Sequence, residues 1–564
     1  MKIVTKLLCL AILELLLAMQ LPAQLKYRDF KTLSADIQSL ASRYQSLCTY
    51  KSLAKTHDGK DIWVLTIGTG DKEQKPGVAV FGTVEGNYIA GREMALGFAE
   101  NILTDSESAD VKNLLENLTF YVFPDIAPDA AEQYFAQLKY ERKVNSGSTD
   151  DDRDFQTDED PYEDLNNDGL ITLIRILDPT GTYIESSDDK RIMTVADISK
   201  GQTGAYLVFS EGIDNDKDGK FNEDGPGGVN ANRNFTYNFE EYGLNTGYHA
   251  MSEPETKAVA DFLFDHFNIY MTIAFGPQDN LGQPMKESER QNDPVLADPF
   301  EAGRGFMGGS GRGFTREPAD RRLTSITKKD AVINKLASDK YHEITGAKGS
   351  PQPSQAPGNF MEWAYFHYGR YSFSTPGWWI AADKGKSAEA SFLAFAGKKQ
   401  LPDVFIPWTE IKHPDFPGKK AEAGGIRPFV MYTPPADTLK DVVLANYKFI
   451  KALAGMHPEL EFLDMKTENA GENIFRVTLK VHNKGVFATM AETGLTNQWT
   501  RLMKITAEPG KGQTIISGQK IQRMQRLDGG ASAEFSWLVS GKGTLAITAG
   551  AVNTGIIRTN IDVK

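Results

Sequence analysis

Three stretches of this chain place oxygen-bearing side chains at alternate positions, the arrangement a hard cation requires. DNDKDGKFNED offers Asp214, Asp216 and Asp218, then Gly219 for a turn, then Asn222 and Asp224. DLNNDGLIT offers Asp164, Asn166 and Asp168, followed by Gly169. DDDRDFQTDED offers Asp150, Asp152 and Asp154, with Asp158 and Asp160 beyond. Calcium takes roughly six to eight oxygens at about 2.3–2.6 Å, and carboxylates at the first, third and fifth positions of a tight loop supply several of them. The glutamate that closes an EF-hand at position twelve is missing; Gly225 and Arg175 stand there instead. The expectation is a structural calcium, with the Asp214 loop as its best seat. The alternative is a solvated acidic loop that repels itself.

Other catalytic chemistries find little support. The eight histidines are His57, His249, His266, His342, His367, His413, His457 and His482, and none forms His-x-x-Glu or His-Glu-x-x-His. There is no Gly-x-Ser-x-Gly elbow. Apart from Cys9 near the N-terminus, Cys48 is the one cysteine. The run GRGFMGGSGRGF lacks the Gly-Lys-Ser/Thr of a phosphate loop and reads as a flexible loop.

Several segments nevertheless fall in an order that resembles the zinc carboxypeptidases, the metallopeptidases like carboxypeptidase A. GVNANRNF is the most specific; the resemblance implies that Asn232 and Arg233 hold a peptide's terminal carboxylate. Arginine suits that task because its planar fork makes two parallel, charge-assisted bonds. APDAAEQYF, with Pro128 and Asp129, resembles a degraded Asn-Pro-Asp-Gly turn. SEPETKAV resembles the helix before the third zinc-ligand strand, and EWAYFHYGRYSFST the strand leading to the catalytic glutamate. In GTVEGNYIAGREMAL the first zinc histidine falls on Glu85 and the zinc glutamate on Tyr88. The later histidine falls on Gly276 and the general-base glutamate on Pro376. The family tyrosine is missing from PQPSQAPG, and Arg142 or Arg175 are the nearest candidates for the carbonyl-polarising arginine. The resemblance therefore implies zinc, while the residues present oppose it: zinc needs three strong protein ligands, and glycine has no side chain.

The elements that would position these residues are legible. LSADIQSLASRYQSL has helical periodicity through Leu33, Ile37, Leu40 and Tyr44. DIWVLTIGTG, PGVAVFGTV, LTFYVFPDI and IYMTIAFGP read as strands. GREMALGFAENIL, EPETKAVADFLFDHF (capped by Ser252) and TLKDVVLANYKFIKALAGM read as helices. This alternation predicts an α/β domain over about 25–456 with a mixed, mostly parallel sheet. Two stretches, about 139–228 and 280–358, read as surface insertions rich in Asp, Asn, Gly and Pro. From 458 the period changes to two, as in NIFRVTLKVHN and AEFSWLVSG, which predicts an antiparallel β-sandwich over 458–564.

The chain has 564 residues and a net charge of −13, which disfavours nucleic acid and anionic membranes as partners. Lys2, Lys6, the apolar run Leu7–Leu17 and LPAQ read as a signal peptide over 1–24, so a secreted or periplasmic protein without a membrane span is expected. After cleavage Cys48 has no partner for a disulfide. The favoured functional expectation is a catalytically inactive relative of the zinc carboxypeptidases that binds peptide C-termini or other carboxylates. The alternatives are an active metallocarboxypeptidase with non-standard ligands, and a structural or adhesion protein acting through the β-sandwich.

Overall fold

The computed structural model describes residues 26–150, 155–222, 224–287, 323–497 and 499–564. The signal peptide, Asp152, Asp154 and the Gly- and Arg-rich run all lie outside the described residues. In chain order the first strands are β1 (Cys48–Lys55), β2 (Asp61–Ile67), β3 (Gly77–Phe81) and β4 (Thr119–Phe123). The next four are short: β5 (Leu173–Leu177), β6 (Tyr183–Glu185), β7 (Met193–Val195) and β8 (Tyr206–Ser210). Then come β9 (Ile269–Phe275), β10 (Tyr371–Thr375), β11 (Phe405–Ile411) and β12 (Ala421–Ile426).

The central sheet has the order β1-β2-β4-β3-β9-β10. Its β4-β3, β3-β9 and β9-β10 pairings are parallel, and the β1 side is antiparallel. Every residue of β3, β4 and β9 is buried, as continuous apolar runs covered on both faces require. Period two divides them between two cores. Val78, Val80, Phe120 and Ile273 face Met94, Phe98, Val443 and Ile450 of the helices Ala90–Thr104 and Leu439–Ala454. Ala79, Phe81, Tyr121 and Ala274 face Val259, Leu263 and Trp363 of the helices Pro254–Asp265 and Phe360–Phe366. The result is the α/β class the alternation predicts.

The structure adds detail to two sequence readings and corrects a third. The acidic stretch is not only loops: β5–β8 join β11 and β12 in a second, antiparallel sheet of order β11-β12-β5-β8-β6-β7, with Ile174, Ile176 and Ala421 at its centre. Strands of three to five residues carry too little periodicity to be read, and their partners lie far along the chain. In the second stretch, Lys328–Thr345 is a helix with Ala337 and Tyr341 fully buried. Ser252 is not a helix cap; Glu253 precedes the helix, and the Ser252 hydroxyl donates to Glu253 Oε1 at 2.6 Å. Pro254 starts the helix without a side-chain cap, using a position whose N–H would be unsatisfied anyway.

The C-terminal strands are β13 (Leu460–Gly471), β14 (Ile474–Asn483), β15 (Met503–Glu508), β16 (Thr514–Ser517), β17 (Ile521–Met524), β18 (Ser532–Ser540), β19 (Gly543–Ala551) and β20 (Gly555–Val563). They form two sheets, β13-β14-β18-β16 and β17-β15-β19-β20. Val477, Leu479, Trp537, Ile505 and Ile547 meet between them. No helix of the described residues is long and apolar enough to cross a membrane.

Candidate functional site

Three of the four family positions converge through topology. Glu85 follows β3, Gly276 follows β9 and Pro376 follows β10, three neighbouring parallel strands. In an open α/β sheet the crevice at the carboxyl ends of the strands is where ligands bind. Tyr88 lies one turn beyond Glu85, its N–H donating to Glu85 O at 3.0 Å.

The side chains there do not compose a zinc site. Glu85 is buried, and its Oε2 accepts from Asn230 Nδ2 at 3.2 Å and Asn232 Nδ2 at 3.4 Å. Lys143 Nζ stands 3.6 Å from Glu85 Oε1, so the cation facing this carboxylate is an ammonium. Tyr88 packs its ring 4.9 Å from Tyr432. Burial, aided by Tyr432, Glu85 and Glu141, pushes its phenol well above the usual range and keeps it protonated. A Cβ added at Gly276 would meet Val84 Cγ2 at 2.0 Å, so the space an imidazole would need is filled by valine. Among the described residues, no histidine joins this cluster: His249 bonds Ala250 O, and His367 bonds Thr236 Oγ1. The donor set does not fit zinc.

The Asn232–Arg233 pair separates. Asn232 is wholly buried; its amide donates to Gln278 Oε1 at 2.7 Å and its oxygen accepts from Phe360 N at 3.1 Å. Arg233 turns outward and donates to Glu240 Oε2 at 2.6 Å. Nearby, a groove of about 960 Å³ has Glu240, Gln278, Asp279 and Glu362 in its wall. Burial pushes Asp279 up to about 6. Of the arginine candidates, Arg142 donates to Asn145 O and Ser146 Oγ, at 2.7 and 3.0 Å. Arg175 belongs to the second sheet, paired with Glu422 at 2.8 Å. Asn230, Gln278 and Lys143 were not identified from sequence. Asn230 and Gln278 lie two residues from Asn232 and Gly276, and Lys143 adjoins Arg142, so proximity to the motifs was the available signal.

Asn145, which exchanges hydrogen bonds with the Val229 backbone, is held by a cluster of acids. Asn145 donates to Glu253 Oε2 at 2.6 Å and to Glu255 Oε1 at 2.8 Å, and His57 Nε2 lies 3.0 Å from Glu253. Glu255 is buried, its Oε2 has no partner, and burial, with Glu253 and Asp129 adding, pushes it up to about 7. The folded state thus holds this proton more tightly than the unfolded chain. The associated stability is present at low pH, is lost as pH rises from about 4.5 through 7, and stays lost above. Chemical denaturation at pH 5 and pH 8 is expected to differ through this group by at most about 3 kcal/mol, and Glu255→Gln is expected to remove that part.

Of the acidic loops, the first is drawn together: Asp214, Asp216 and Asp218 each bring a carboxylate oxygen within 4.8 Å of the others. Asp214 is nine-tenths buried, and its Oδ1 has no hydrogen-bond partner. Asp224 lies outside the group, and Asn222 donates its amide to Ser210 O. In the second loop, Asp164 accepts from Asp168 N and Gly169 N, and Asn166 donates to Asp168 Oδ2, closing the turn on itself. Asp160 is buried and accepts from Asn215 N and Asn222 N of the first loop. Asp158 accepts from Gly227 N, and Asp150 from Phe155 N.

A family model described as zinc carboxypeptidase matches residues 33–169 and 204–377, more than half of the chain. The chain belongs to the zinc carboxypeptidase family. Zinc is the metal that this family's description names. Residues 459–562 match a second model, described as a domain of unknown function (DUF8731). The chain is similar to carboxypeptidase M of Mus musculus, 25% identical over 21% of this chain and 28% of that protein. It is also similar to carboxypeptidase B of Astacus astacus, 28% identical over 21% of this chain and 39% of that one. It thus spans well under half the length of these curated relatives. Among solved structures, bovine thrombin-activatable fibrinolysis inhibitor aligns at 14% identity and a TM-score of 0.39, covering 76% of this chain and 96% of that one.

Proposed function

We propose that this family member does not hydrolyse peptides, and that its former metal crevice serves recognition. The observation that carries this reading is the pairing of Val84 with Gly276: valine fills the position from which the third ligand would reach. Glu85 is engaged by two amides and an ammonium, which further opposes metal capture. Without a metal there is no Lewis acid at this crevice, and Pro376 has no group to accept a proton. Arg233 remains the group suited to a terminal carboxylate, which must displace Glu240; the acidic groove wall beside it gives no further help. The N-terminal 24 residues fit export to the periplasm or the exterior.

The test is purification after exposure to excess zinc, followed by metal analysis and assay of amino-acid release from peptide C-termini. Substoichiometric zinc and no release are expected. Stoichiometric zinc with release would establish the active-enzyme alternative. Binding of an N-acylated amino acid, with its amide as control, tests the carboxylate part.

The Asp214 loop serves as a calcium-bound staple on the second sheet, supported by the buried, unpartnered Asp214 Oδ1. A cation bound only in the folded state stabilises by about 2.7 kcal/mol at a hundredfold excess over Kd. Chelation is therefore expected to lower the melting temperature by several degrees, and Asp214→Asn to abolish the response. An unchanged transition would remove the proposal.

A further inference from the structure

The outer face of the β17-β15-β19-β20 sheet carries a groove of about 630 Å³ at its junction with the α/β domain. Arg501, Lys504 and Arg523 line it, and none of its lining residues is acidic. The chain as a whole has 75 acidic residues against 62 basic ones, so acids were abundant elsewhere. Lys504 and Arg523 are direct cross-strand partners. Like charges placed opposite each other on a sheet destabilise it. Arg558 extends the same face, opposite Thr548 on β19. No ion pair joins any of these four cations to an acid among the described residues. The nearest acids on this face, Glu508 and Asp562, lie opposite Ala546 and Thr544, away from the groove.

Two further features give the groove its shape. The Arg501 guanidinium sits 3.9 Å over the Phe267 ring, a residue of the α/β domain. A cation–π contact fixes that charge without neutralising it. Gly550 forms the floor opposite Lys504, with φ 137°; a Cβ there would meet Gly555 O at 2.1 Å. Gly550 thus lets the Gly555 backbone approach closely, and it separates Lys504 from Ile556, which stands opposite it on the far strand. Thr506 and Thr548, cross-strand partners, line the same groove.

We propose that this groove binds an acidic polysaccharide, with Arg501, Lys504 and Arg523 taking its carboxylate or sulfate groups and Thr506 and Thr548 its hydroxyls. Adjacent strands lie about 4.8 Å apart, so the cations offer repeated contacts along an extended chain. Several ion contacts add through effective concentration where each alone is weak. Single-stranded nucleic acid fits less well, since its non-specific binders stack bases on open aromatic rings, and the ring here is covered by Arg501. A bilayer fits less well because the surface is concave and, of its apolar lining residues, Ile556 alone is largely exposed. The acidic net charge of the molecule does not oppose this, because salt confines interactions between exposed charges to about 8–10 Å. The inference is independent of whether the crevice hydrolyses peptides.

The test uses the full chain with polygalacturonate and heparin as probes, dextran as the neutral control and oligothymidylate as the competing polyanion. Binding of both acidic glycans, weakened by salt and absent for dextran, is expected. Lys504→Ala/Arg523→Ala is expected to raise the dissociation constant at least tenfold with an unchanged or slightly raised melting temperature, since both side chains point outward and their mutual repulsion is removed. Lys466→Ala/Arg476→Ala, on the exposed face of the other sheet, is expected to bind as the wild type does. No binding at low salt, equal weakening by both double variants, or tighter binding of oligothymidylate than of either glycan would overturn the proposal.

Discussion

Replacing Asp330 with alanine is expected to cost about 3–5 kcal/mol and to loosen the β-sandwich from the α/β domain. Asp330 is 1% exposed, in the first turn of the Lys328–Thr345 helix. Its Oδ1 accepts from Arg526 Nη1 and Glu492 N, both at 2.9 Å. Its Oδ2 accepts from Tyr365 OH at 3.0 Å and Thr493 N at 3.3 Å. One carboxylate thus joins a helix of the first domain to two segments that follow β14. Alanine leaves two backbone N–H groups and part of a guanidinium buried without acceptors, while Tyr365 OH keeps Thr327 Oγ1 at 3.3 Å; each orphan costs about 1–3 kcal/mol. Arg526 keeps Asp528 at 2.7 Å, which limits the loss. Asp330→Asn retains one acceptor oxygen and is expected to fall between the two. Denaturation followed by separate probes of the two domains should become biphasic in the alanine variant. A single transition shifted by less than about 1 kcal/mol would show that the junction does not depend on this carboxylate.

Gly276→Ala is expected to destabilise by about 1–3 kcal/mol, the usual cost of overpacking a filled core. Val84 is 1% exposed and β-branched, so its methyl cannot swing aside freely. Val84→Ala makes room at the cost of its own packing. The double variant is therefore expected to be more stable than the sum of the singles, with a coupling of about 1–2 kcal/mol. The same geometry sets the conditions for rebuilding a metal centre. Glu85→His/Tyr88→Glu/Gly276→His is expected to bind zinc poorly, and addition of Val84→Ala to improve it. Additive single effects, measured by chemical denaturation, would mean that the two positions do not meet.

The differing legibility of these features has physical causes. The long helices and β3, β4 and β9 bury whole faces, so their period is written in their own residues. The Lys328–Thr345 helix is hard to read from sequence because it sits between a Gly- and Arg-rich run and a Pro-rich one and keeps an exposed Val332. The Asp214 loop was readable because alternation of carboxylates around a glycine is a local device. Asp164 and Asn166 share that spacing, yet their groups turn inward to close the turn, which depends on hydrogen bonds that spacing does not specify.

The sequence alone determined the family, the α/β class and the period-two C-terminal strands, because each is encoded over a few consecutive or regularly spaced side chains. Only the tertiary structure decided that Val84 backs Gly276, that Lys143 faces Glu85, and that Asn232 and Arg233 part ways. It alone assembled the acidic stretch into a sheet with residues 405–426, and gathered Arg501, Lys504 and Arg523 on one face. Those contacts join residues distant in the chain, and which partners meet is settled by how the layers pack.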